Sequence, residues 1–165
     1  MFIQSLKSEF TDKQILGVLS NHDYIRDLHE LEITNLHNRV FTKDNLSVTG
    51  IEGCVRYKDS VKSPLYWQEK SEDLCEELKK ADIVISHNSH YGIRDKKDLI
   101  NEGYKGLLNY IDKNKPKYCV HSHQHKNIIT KYKNTLVIGI YEGIILNTET
   151  NKIEKILEVE WEIKW

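Results

Sequence analysis

Residues Cys119–Asn127 read CVHSHQHKN, with histidines at positions 121, 123 and 125 directly after a short apolar run. On an extended segment, residues two apart point to the same side. His123 and His125 are therefore expected to face one point, and two imidazoles so placed at a strand end can converge on a metal. His121 is expected to be the last residue of the strand, packed inside. Taken alone, the stretch reads more readily as a solvated polar turn that happens to carry histidines.

The same arrangement recurs twice upstream. Ile15–Leu19 (ILGVL) is an apolar run cut off by Ser20-Asn21-His22-Asp23. Such a run between turn formers suits a strand buried on both faces. Ile83-Val84-Ile85 is a second run, ending at Ser86-His87 and followed by Asn88-Ser89-His90-Tyr91-Gly92. In α/β folds, sites gather at the carboxyl ends of strands. The residue types fit that use. An Asn carbonyl is a fair oxygen ligand, a neighbouring His can donate a proton or hold a developing anion, and an Asp can fix the tautomer of that His. Alone, Asn21-His22-Asp23 reads better as a strand-to-helix turn with Asn or Asp as helix cap, and His87–Gly92 equally as a turn that happens to hold two histidines.

Between these runs, Asn45–Val55 is rich in β-branched residues and glycine and is expected to form one or two strands. Ser71–Lys80 (SEDLCEELKK) reads as a helix with Ser71 as N-cap, acids in the first turn, and Leu74 and Leu78 four apart. Leu99–Asn114 is expected to be helical on an apolar face of Leu107, Leu108 and Ile111. Lys117–Val120 and Thr135–Tyr141 read as strands. The last stretch alternates Leu157, Val159, Trp161, Ile163 and Trp165 with charged residues, the pattern of a half-buried strand.

The chain has 165 residues, a size that suggests one domain. With 39% hydrophobic and 30% charged residues its composition is that of an ordinary globular protein. A net charge of −1 gives no basic surface for general nucleic-acid or membrane-surface binding. No run approaches the ~18 apolar residues that span a bilayer, and MFIQSLKSEF lacks the regions of a signal peptide. Cys54, Cys75 and Cys119 are odd in number and widely spaced. That fits reduced thiols in a cytoplasmic protein better than a disulfide framework.

Taken together, SNHD at 20–23, SHNSHYG at 86–92 and HSHQH at 121–125 resemble the calcineurin-like metallophosphoesterases. Ser20–Asp23 is similar to that family's GNHD with Ser for Gly, Ser86-His87 to its middle histidine, and Ser122–His125 to its GHxH, again with Ser for Gly. The resemblance covers roughly Ile15 to Leu146. It implies an α/β fold, a metallophosphoesterase-type β-sandwich flanked by helices, in one domain over 1–165. It implies Asn21, His87 and His123 as ligands of one metal and His125 as a ligand of another. His22 would face the scissile phosphate and Asp23 would orient His22. Arg56 and Tyr57, in GCVRYK at 53–58, are candidate substrate contacts, or else solvated loop residues. Mn, Fe or Zn suits such mixed ligands, as one ion or two.

The family also carries DxH and GD motifs before GNHD. Here twenty residues precede Asn21, and no GD dipeptide occurs. The only DxH spelling, Asp27-Leu28-His29, lies in an expected helix, where i and i+2 diverge. The domain therefore resembles an N-terminally truncated family member, with an exposed sheet edge and an uncovered sheet face. Dimerisation or a complementing N-terminal fragment would cover them. The activity implied is a metal-dependent hydrolysis of a phosphomono- or diester, with no membrane partner. The alternative is a binding or scaffold module of the same fold, as the retromer subunit of that family is. A structural zinc site is less suited, since no cysteine has chelate spacing.

Overall fold

The structure, a computed structural model, describes residues 2–59, 63–93, 95–96, 98–141, 143–155 and 162–164. The chain opens with α1 (Phe2–Glu9), β1 (Leu16–Gly17), α2 (Ile25–Glu30) and β2 (Thr34–Asn35). There follow β3 (Val40–Lys43), β4 (Leu46–Ile51), β5 (Cys54–Val55), β6 (Leu65–Tyr66), α3 (Gln68–Glu77) and β7 (Ile83–Ser86). The second half holds α4 (Lys105–Asn114), β8 (Tyr118–His121), β9 (Ile128–Tyr132), β10 (Thr135–Gly139), β11 (Ile144–Asn147), β12 (Lys152–Lys155) and β13 (Glu162–Lys164).

Seven strands make one mixed sheet in the order β13-β9-β10-β8-β7-β4-β3. Its centre, β10-β8-β7-β4, is parallel. Those are the short apolar runs of the sequence, and Val84, Cys119 and Val137 are essentially sealed from solvent. Hairpins extend the sheet on both sides. β3 and β4 are joined by Asp44 and Asn45, with φ of 50° and 63°. Two left-handed residues in a two-residue loop match the twist of a hairpin, and Asp and Asn tolerate that backbone best after Gly. This hairpin was not among the sequence expectations.

One face of the sheet is covered by α3 and α4. Leu74, Cys75 and Leu78 pack there with Leu107, Tyr110 and Ile111. The two helices approach closely at Gly106, where a Cβ would stand 2.8 Å from both Cys75 Cβ and the Ser71 carbonyl oxygen. The other face carries a second cluster. Leu36, Tyr118 and Ile138 are at its centre, and Leu16, Val18, Ile144, Leu146 and Ile153 close over them from the β1–β2 and β11–β12 pairs. That face is thus packed rather than open.

Several expected boundaries move, each for a local reason. The run Ile15–Leu19 yields only a two-residue strand, half-buried and paired with β2 outside the main sheet, rather than a strand buried on both faces. Helix α3 starts at Gln68, and Ser71 lies inside it, fully buried, with its hydroxyl turned back to the Gln68 carbonyl at 2.7 Å. Ser71 is therefore not the N-cap. Helix α4 starts at Lys105 instead of Leu99. The Tyr104 N–H is already given to the Ser89 carbonyl, and the Tyr104 carbonyl accepts from Tyr91 N–H. Of the expected final strand, Glu162–Lys164 pairs in parallel with β9, and the rest from Leu157 lies outside the described residues.

Among the described residues no helix is long and apolar enough to cross a membrane. The three cysteines are free and buried, and burial pushes the Cys54 thiol up to about 12.

Candidate metal centre

Three segments distant in sequence end at one place. β1 leads into Asn21, β7 into His87, and β8 into the turn that carries His123. The Asn21 side chain is almost wholly buried and sets its Oδ1 2.9 Å from His87 Nε2. His123 Nδ1 stands 3.1 Å from the same His87 nitrogen, with the two rings edge to face at 4.9 Å between centroids.

The tautomers follow from the outer partners. His123 Nε2 lies 2.8 Å from the Ile100 carbonyl oxygen, which only accepts, so Nε2 carries the proton and the Nδ1 lone pair faces His87. Asn21 Nδ2 donates to the Tyr57 hydroxyl at 3.1 Å, which leaves Oδ1 for the imidazoles. Burial depresses the His87 pKa to about 3, helped by the neighbouring His123, against a smaller opposing pull from Asp23. Burial also lowers that of His123, against the Ile100 carbonyl. Both rings are therefore neutral at pH 7 and keep a lone pair, the form that binds metals.

These donors fit one cation. A metal at about 2.0–2.2 Å from each ligand sets neighbouring donor atoms roughly 2.8–3.6 Å apart, and both distances measured here fall in that range. Two imidazoles and an amide oxygen leave positions open for water and substrate, as catalytic sites do. They do not fit two cations. Among the described residues no group of three or more His, Cys, Asp or Glu side chains gathers, so no carboxylate joins the three donors to offset a second dication.

His125, like His22, lies near enough to His87 and His123 to influence their charge. His123 and His125 have φ of 62° and 49°, and Gln124 N–H closes a tight turn on the Ser122 carbonyl at 2.7 Å. The segment is coiled, not extended, so the alternation argument for a shared direction fails. His125 is exposed and stacks on Tyr141 at 4.9 Å. His121 is the last residue of β8 and is buried, as expected. His22 is exposed beside the cluster, near enough to both ligand histidines to influence their charge. Asp23 Oδ2 accepts the Ser20 N–H at 2.8 Å, so its contact braces the turn rather than the His22 ring. Arg56 lies over the Trp67 ring at 5.4 Å and pairs with Asp59 at 3.1 Å, while Tyr57 reaches the cluster through Asn21.

Sequence reasoning missed the Ile100 carbonyl and the loop that holds it. Gln124 Nε2 donates to Ser89 Oγ at 3.0 Å and to the Asn101 carbonyl at 3.3 Å, pinning the histidine turn to that loop. A backbone acceptor leaves no mark in a sequence.

No family model and no curated protein sequence matches the chain. Solved structures do. One crystal structure aligns with a TM-score of 0.66 at 20% identity, over 92% of this chain and 70% of that one. The crystal structure of TT1561 of Thermus thermophilus aligns with a TM-score of 0.65 at 18% identity, over 93% of this chain and 75% of its own. At such identity the likeness is one of fold: a mixed α/β sheet with its helices.

Proposed function

We propose that this chain is a metal-dependent phosphoesterase with a metallophosphoesterase-type fold and one metal ion, held by Asn21, His87 and His123. The observation that carries the reading is the meeting of Asn21 Oδ1 and His123 Nδ1 on His87 Nε2 at 2.9 and 3.1 Å. No sequence-local force brings these three together, and the order of the segments that supply them is the order in the resemblance.

When bound, a Mn, Fe or Zn ion would supply a Lewis acid for a phosphoryl oxygen and acidify a water. The chain's own residues do the rest. Asn21, His87 and His123 are neutral, so the net positive charge of the site is kept for an anionic phosphoester. His22, exposed at the edge, is placed to give a proton to the leaving oxygen. Phosphomono- and diesters both suit an open site of this kind. The three buried thiols support a reducing compartment.

The test is hydrolysis of p-nitrophenyl phosphate and bis(p-nitrophenyl) phosphate by chelator-treated protein reloaded with Mn. The expected result is turnover that needs Mn and is lost in His87→Ala. Equal rates with and without Mn, or in His87→Ala, overturn the reading.

The shortage of carboxylates favours a second reading, a binding module that keeps the cluster as a hydrogen-bonded network. Elemental analysis separates the two: about one metal per chain for the enzyme, none for the module.

A further inference from the structure

We infer that Tyr57 is a positioning residue for the metal ligand Asn21 and not a substrate contact, an assignment that rests on the reading just proposed. Asn has a broad preference about its last torsion, so an amide used as a ligand needs something outside itself to hold it. Asn21 is 4% exposed, so its Nδ2 has lost most of its water and needs an acceptor. The Tyr57 hydroxyl at 3.1 Å is that acceptor. It meets the nitrogen, the end of the amide opposite Oδ1, so its influence on the cation runs through Asn21.

The phenol is itself held in place. Tyr57 follows β5, which pairs in parallel with β6, and the neighbouring Arg56 N–H donates to the Tyr66 carbonyl at 2.9 Å. The turn into β5 is made by Gly53 at φ +70°, where a Cβ would stand 1.9 Å from the Pro64 carbonyl oxygen. A rigid, sequence-distant segment thus presents one hydroxyl to one amide. On the far side, the Ile100 carbonyl does the same for His123. The two outer contacts fix the two ends of the ligand set.

The experiment titrates Mn into the full chain, with free Mn read by electron paramagnetic resonance. The variants are Tyr57→Phe, Asn21→Ala and the double variant. Outer partners of metal ligands typically change affinity by about 10-fold or more. Tyr57→Phe is expected to weaken Mn binding by about 10-fold, with the thermal midpoint of the metal-free protein lowered by the unpaired Asn21 Nδ2 and KM unchanged at saturating Mn. In the Asn21→Ala background it is expected to add nothing. An unchanged Mn affinity in Tyr57→Phe, while His123→Ala weakens it, overturns the inference and leaves the phosphoesterase reading standing. So does a raised KM with unchanged Mn affinity, which would make Tyr57 a substrate contact, or a loss that persists in Asn21→Ala. If the unaltered chain binds no Mn, both readings fall together.

Discussion

Replacing His87 by Asn should make the metal-free protein less sensitive to acid. The reasoning starts from burial. An unfolded histidine titrates near 6.5, whereas in the fold the His87 pKa is pushed down to about 3. Below pH 6.5 the unfolded chain therefore binds a proton that the folded chain refuses, and stability falls as pH falls. The loss begins near pH 6.5 and is complete near pH 3. At about 1.4 kcal/mol per pH unit the whole offset is roughly 5 kcal/mol, of which about 2 kcal/mol is lost between pH 7 and pH 5. Asn at 87 cannot take up a proton, so that part of the slope should vanish. The cavity left by the smaller side chain lowers stability at both pH values and cancels from the difference. His90, fully buried and also held neutral, contributes equally in both proteins. The assay is urea unfolding of chelator-treated protein at pH 7 and pH 5. The parent is expected to lose about 2 kcal/mol more than His87→Asn over that interval. Equal losses would mean that His87 is neither buried nor neutral as described, and the metal-centre argument would lose its lone pair.

Three further outcomes are expected. His123→Ala should weaken Mn binding at least 10-fold, whereas His29→Ala, exposed on α2, should leave it unchanged; like behaviour of the two in a Mn titration would refute the ligand assignment. Gly53→Ala should destabilise the chain by about 2 kcal/mol or more, from the left-handed backbone and the clash with Pro64, as read by urea unfolding; a change under about 0.5 kcal/mol would refute the close approach. Cys54, Cys75 and Cys119 should resist alkylation by iodoacetamide at pH 8 until urea is added, because burial keeps all three as thiols; rapid labelling of the folded chain would contradict their burial.

The sequence announced the centre of the sheet because burial there leaves a plain trace. β7, β8 and β10 are apolar runs, and each begins or ends within two residues of where hydrophobicity alone places it. The failures have a common cause, a partner too far away in sequence to be read. Tyr104 looks helical until its backbone is claimed by the strand-like segment at Ser89 and His90. Ser71 has the chemistry of a cap, yet Gln68 ties the start of α3 to the loop before α4 through the Gly103 carbonyl at 2.8 Å, and the helix begins earlier. β1 is as apolar as the central strands but joins only β2, which nothing in ILGVL distinguishes.

The histidine turn combines both situations. The residue types at 123 and 125 could be read, but their backbone could not, because a non-glycine residue seldom takes positive φ and costs of order 1–3 kcal/mol when it does. Such a conformation persists only where its surroundings over-determine it. At His123 they do. The ring is fixed at Nε2 by the Ile100 carbonyl and at Nδ1 by His87, and the next residue, Gln124, is fastened to Ser89 and Asn101. At His125 the ring stacks on the face of Tyr141. The two histidines of the shared motif are thus held by different partners. The one imidazole turns inward to His87 and the other stands at the surface. Under the proposed reading a single cation would sit at Asn21, His87 and His123, with the Tyr57 hydroxyl and the Ile100 carbonyl holding two of the ligands from outside.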